Sequence, residues 1–149
     1  MSDLHDLYQD VILDHSRRPR GFGSLPTANR TADGLNPVCG DRLRLYLDVS
    51  DDHIRDVRFE GSGCAISKAS ASLMTEAVRG RSTADADALF VRVHRMLTSD
   101  ASSAEEAEVG KLVALAGVRR FPMRVKCATL AWHALRAALE QREQATTET

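Results

Sequence analysis

Net charge is nearly absent from this 149-residue sequence: 20 basic side chains stand against 21 acidic ones, for a formal charge of −1. Aromatic residues are scarce too, with one tryptophan, two tyrosines and four phenylalanines. A basic stripe interleaved with aromatics is therefore missing, and with it the electrostatic footprint of a nucleic-acid binder. No run approaches the ~18 consecutive apolar residues of a membrane span. The opening MSDLHDLYQD is acidic and has no apolar stretch, unlike a signal peptide, so a soluble cytoplasmic protein is expected. There is no GxSxG elbow, no GxxxxGK[ST] phosphate loop, no GxGxxG after a strand and no HExxH, which removes the chemistries those motifs serve. Cysteine is limited to three residues, an odd count that leaves one thiol over from any disulfide pairing.

Residues 1–149 are expected to form one domain, large enough to bury a core without staples. Leu4, Tyr8, Val11 and Ile12 recur at helical spacing, and Arg17, Arg18 and Pro19 end a first helix over residues 3–16. The basic string RRPR, residues 17–20, reads equally as cations closing that helix or as a docking patch. A loop through Gly21, Gly23, Pro26 and Gly34 is expected next. Leu43, Leu45, Leu47 and Val49 then alternate with polar positions as in a half-buried strand, and a second strand carries Val57 and Phe59 with Ile54 out of phase. Everything after Cys64 reads as helix, from about 65 to 79 with Gly80 as stop, then along Leu89, Phe90, Val93 and Leu97. A shorter stripe follows at Val109, Leu112, Val113 and Leu115, and a long last helix carries Leu130, Ala134, Leu135, Ala138 and Leu139. A polar tail from about residue 143 is expected to fray. The pattern is α+β: a small antiparallel sheet packed against helices, with a metal site at one end.

The three cysteines carry the chemistry. Cys39 lies in NPVCGD, Cys64 in GSGCAIS and Cys127 in FPMRVKCATLAW, 25 and then 63 positions apart, too far for the paired knots of zinc fingers. If tertiary folding brings them together, three thiolates and the carboxylate of Asp41 make a sulfur-rich set suited to zinc or to an iron–sulfur cluster. The competing reading is that of free cysteines as small buried hydrophobes. Cys64 and Cys127 each read as opening a helix, whose unpaired N–H groups favour thiolate over thiol. Arg124 and Lys126 beside Cys127 push the same way, or belong to a solvated loop. Gly40, Gly61 and Gly63 allow tight turns or a close backbone approach. His15 reads as helix-end chemistry and His133 as one face of the last helix.

The strings LYQDVILDHSRRPRGFG, NPVCGD, FEGSGCAIS and KCATLAWHAL, in this order, resemble the U-type iron–sulfur cluster assembly proteins, the IscU, SufU and N-terminal NifU group. The resemblance runs from about Leu7 to Leu139. It is nearest to SufU, because Lys126 stands where the IscU branch places a histidine, an extra helical stretch fits between Cys64 and Cys127, and FPMRVK replaces the chaperone-recognition string LPPVK. It implies the SufE/NifU-like fold and a zinc-dependent sulfurtransferase holding Zn2+ through Cys39, Asp41, Cys64 and Cys127. Such a protein accepts persulfide sulfur from a SufS-type, pyridoxal-phosphate-dependent cysteine desulfurase and passes it toward a downstream cluster-assembly scaffold. It implies Cys39 as nucleophile, freed when a desulfurase histidine takes its place on the metal, with Arg124 at a basic position near the site. Two alternatives remain: an IscU-like scaffold for a transient [2Fe-2S] cluster or iron, and a zinc-stabilised interaction module.

Overall fold

In a computed structural model describing residues 2–37, 40–98, 109–141 and 144–146, the period-two run of leucines forms strand β2, Asp41–Ser50. Leu43, Leu45, Leu47 and Val49 point inward, while Arg42 and Arg44 stay exposed. Strand β3, His53–Ser62, pairs antiparallel with β2 through a turn in which Asp51 and Asp52 both adopt positive φ (53° and 60°). That conformation matches the right-handed twist of a two-residue hairpin. The register shifts between Asp48↔Asp56 and Val49↔Ile54, so Arg55 is an extra residue, a bulge. The bulge explains why Ile54 is out of phase in sequence yet fully buried beside Val57 and Phe59.

Two strands appear where none was expected. Strand β1, Arg30–Asn36, replaces the anticipated loop and pairs antiparallel with β2. Strand β4, Gln144–Thr146, lies in the tail expected to fray and pairs parallel with β1. The sheet order is β3-β2-β1-β4.

Helix α1 is Ser2–Arg17, α2 Ala65–Val78, α3 Thr83–Thr98 and α4 Pro122–Leu139, with a 3₁₀ helix, Gly110–Arg120, before α4. α4 packs on β1 and β2, α2 packs on β3 and α4, and α1 lies against α2. Leu45, Leu47, Trp132, Leu130, Leu135 and Met74 form the centre of the core, each at most 1% exposed. Burying such a side chain contributes about 1.5–3 kcal/mol. Among the described residues no helix is long and apolar enough to cross a membrane.

His15 does not serve a helix end. It is fully buried, with Nδ1 2.7 Å from Ser72 Oγ. Ser72 Oγ also accepts the Arg20 backbone N–H at 2.7 Å, so its own proton is free to go to Nδ1. His15 Nε2 then carries the other proton, 3.4 Å from Glu76 Oε1 but without the alignment of a hydrogen bond. Burial pushes the His15 pKa down. The basic string closes α1 as one of its two readings held: Arg20 pairs with Asp14 at 2.7 Å and Arg18 with Asp14 at 3.7 Å.

Candidate metal centre

Three segments converge at one end of the sheet. Asp41 is the first residue of β2, Cys64 caps the N-terminus of α2, and Cys127 comes from α4. Their ligating atoms lie within 4.8 Å of one another, with Asp41 and Cys127 buried and Cys64 half-buried. Cys39 lies outside the described residues.

Local sequence explains each placement. Asn36 and Asp41 pair across β1 and β2, and the Gly40 N–H donates to Asn36 O at 2.8 Å, with Gly40 at φ 75°. Cys64 has extended backbone angles, and its Sγ accepts the Ser67 N–H at 3.5 Å, the N-cap role that serine or aspartate commonly fills. Cys64 thus opens a helix, but Cys127 does not. Pro122 starts α4 five positions earlier, so Cys127 sits in the second turn, where its thiol faces Met123 O at 3.6 Å and the helix-terminus argument no longer applies. FPMRVK is accordingly helical from its proline onward rather than a loop.

Asp41 is 1% exposed, and both carboxylate oxygens find donors. The Cys64 backbone N–H donates to Oδ1 at 3.0 Å, and Asn36 Nδ2 donates to Oδ2 at 3.4 Å. The same amide nitrogen lies 3.8 Å from Cys127 Sγ. Gly63 leaves room for this carboxylate: a Cβ there would stand 2.6 Å from Asp41 Oδ1. The Arg124 guanidinium is exposed and its pKa is raised, first by the charge of Cys64, then by that of Cys127, with hydrogen bonding to both. Lys126 is half-buried one residue before Cys127.

Two sulfurs and a carboxylate carry up to three negative charges when ionised, in a pocket that excludes most water. Such a donor set suits a borderline-soft divalent ion and costs much free energy if left uncompensated. The residues present therefore fit a metal. Beside them runs a groove of about 670 Å³ that includes Cys64 and Arg124 in its lining. Its walls come from Ile12 and Leu13 of α1, Ile66 of α2, Val118 of the 3₁₀ helix, and Phe121. Leu13 and Phe121 are 42% and 60% exposed, unusual for large apolar side chains.

Sequence reading passed over Asn36. Its signal was its phase, since Ala32, Gly34 and Asn36 all face inward on β1 and a buried polar residue at the end of such a series needs partners. His133, by contrast, does lie on one face of the last helix, edge-on to Phe90 and His94 of α3.

A family model described as the NifU-like N terminal domain matches residues 7–148. The iron–sulfur cluster assembly scaffold protein IscU of Streptococcus pyogenes serotype M1 is 42% identical, covering 95% of this chain and 87% of its own. The zinc-dependent sulfurtransferase SufU of Bacillus subtilis (strain 168) is 39% identical, covering 95% of each. A solved structure of a candidate cluster assembly scaffold protein for the SUF system of Fervidobacterium islandicum AW-1 superposes with a TM-score of 0.81. It is 34% identical and covers 91% of this chain and 98% of that one. With this fold, these four motifs and these relatives, the chain belongs to the NifU-like N-terminal domain family of iron–sulfur cluster assembly proteins.

Proposed function

We propose that this protein is a zinc-dependent sulfurtransferase that accepts persulfide sulfur from a SufS-type cysteine desulfurase and hands it to a downstream cluster-assembly scaffold. The observation that carries the reading is that Cys64, one of the three clustered residues, lines an apolar groove, whereas a purely structural zinc site is closed. The ligands are Cys39, Asp41, Cys64 and Cys127. Zinc, when bound, keeps thiolates deprotonated and does no redox chemistry of its own.

Cys39 is the acceptor, on the matched motif. Its thiolate attacks the outer sulfur of the partner's Cys–S–S⁻: the partner's S–S bond breaks, a new S–S bond to Cys39 forms, and the electron pair leaves on the partner's thiolate. Charge and oxidation level balance without a further reactant. Arg124, whose charge acts on Cys64 and Cys127, would attract an anionic persulfide, and Lys126 would add positive charge. The groove beside Cys64 receives the partner's loop, with exposed Leu13 and Phe121 giving apolar contact.

Assembly of a transient [2Fe-2S] cluster on the same thiols is the second reading, favoured by the IscU relative at 42% identity. Lys126, where the IscU branch carries a histidine ligand, argues against it. Timing alanine production from cysteine by a SufS-type desulfurase, with and without the zinc-loaded protein, separates the two. Stimulation supports sulfur transfer. No stimulation, together with a visible cluster spectrum after anaerobic reconstitution, supports the scaffold.

A further inference from the structure

We infer that Asn36 is a positioning residue of the metal centre, its one side-chain amide clamping a ligand from the sheet to a ligand from α4 and fixing Cys127 as a permanent holder. The inference rests on the metal-binding reading above. Asn36 ends β1, is fully buried, and stands directly opposite Asp41 in the strand register. Its Nδ2 lies 3.4 Å from Asp41 Oδ2 and 3.8 Å from Cys127 Sγ. An amide NH2 has two hydrogens, enough for one to each acceptor, and both acceptors are anionic in a metal-loaded site.

Two consequences follow for the ligands. Asp41 has its Oδ1 tied to the Cys64 N–H and its Oδ2 to Asn36, so its carboxylate plane is set before any ion arrives. Cys127, in the second turn of a buried helix, receives an N–H···S hydrogen bond that withdraws electron density from sulfur and lowers its nucleophilicity. Cys64 receives the corresponding bond from the Ser67 backbone, which no side-chain substitution removes. Arg124 reaches both sulfurs alike, so Asn36 is the side-chain donor whose removal acts on Cys127 and not on Cys64. Donors behind metal ligands typically change affinity by about 10- to 100-fold when removed.

The test uses the full chain loaded with 113Cd, a spectroscopic stand-in for zinc. In the unsubstituted protein, scalar coupling should run from cadmium through Cys127 Sγ to an Asn36 side-chain amide proton, alongside coupling through Cys64 Sγ to the Ser67 amide proton as an internal reference. Asn36→Leu, nearly isosteric but without a donor, should weaken zinc binding about 10- to 100-fold in chelator competition. The sulfur-to-metal charge-transfer band of the cobalt-substituted variant should move to lower energy, which a merely structural defect would not produce. Coupling at Ser67 with none at Asn36 overturns the inference even if the leucine variant fails to fold. Unchanged affinity and an unchanged charge-transfer band in a folded variant overturn it equally. A chain that binds no cadmium, zinc or cobalt at all overturns the metal-binding reading itself.

Discussion

Replacing Gly63 by alanine perturbs the metal centre without touching a ligand. Gly63 is not among the positive-φ glycines, so the backbone accepts a Cβ without conformational penalty, and the effect comes from contact alone. The added methyl would stand 2.6 Å from Asp41 Oδ1, 3.1 Å from Cγ and 3.2 Å from Cβ. An ordinary contact begins near 3.4 Å, so the carboxylate oxygen must retreat by about 0.8 Å (3.4 − 2.6). Metal–ligand distances tolerate only about ±0.2 Å, a quarter of that displacement. Retreat also strains the 3.0 Å bond from the Cys64 N–H, a hydrogen bond to a charged acceptor worth about 1.5–3 kcal/mol. Zinc affinity should therefore fall at least tenfold, about 1.4 kcal/mol, while the metal-free chain stays folded. Chelator competition gives the affinity and circular dichroism the fold. In an Asp41→Ala background, Gly63→Ala should have almost no further effect, because its route to the metal is already gone. Unchanged zinc affinity in Gly63→Ala, or an equal loss in both backgrounds, would refute this account of Asp41.

Phe121→Asp should leave zinc binding intact and α4 started, since aspartate is a good N-cap where Phe121 makes no capping bond, yet raise the concentration of protein needed for half-maximal desulfurase stimulation about tenfold. An unchanged half-saturation would remove the groove from the docking surface. Cys39→Ser should abolish sulfur acceptance because a hydroxyl is a far poorer nucleophile at neutral pH, and persulfide formation at the wild-type rate in that variant would rule out Cys39 as acceptor. For His15 the folded pKa is depressed below the ordinary 6.5, so the folded state binds fewer protons and its stability falls as pH drops below about 6.5, by at most ~1.4 kcal/mol per pH unit, until the folded pKa is reached. Urea unfolding of metal-free protein between pH 5 and 7.5 should show that slope, and His15→Gln should flatten it; identical slopes would contradict the buried neutral imidazole.

The helices and the β2–β3 hairpin were legible because their inward positions carry large apolar residues at the right period: Leu43, Leu45 and Leu47 in the sheet, Leu89, Phe90, Val93 and Leu97 in α3. Strand β1 was not legible because α4 packs too closely on it to admit such residues. Its inward positions are Ala32, Gly34 and Asn36, and a Cβ on Gly34 would stand 3.1 Å from Leu130 Cδ1. β4 is three residues long with no large apolar side chain, and it pairs with β1, a long-range contact that local propensity cannot report. His15 looked like a helix-end cation because its partner Ser72 is 57 residues away. The meeting of Asp41, Cys64 and Cys127 was inferred from their turn-rich surroundings and from family resemblance, while the Asn36 clamp and the role of Gly63 depend on spacings across three elements that no linear pattern encodes.

Sulfur transfer to Cys39 is tested most directly by mapping the sulfur. The zinc-loaded chain is mixed with a SufS-type desulfurase and cysteine, the thiols are trapped, and peptides are read by mass spectrometry. One added sulfur on the peptide containing Cys39, with Cys64 and Cys127 unmodified, is the expected result. Persulfide on Cys127 with Cys39 unmodified, or none on the chain while the desulfurase itself stays loaded, would contradict it.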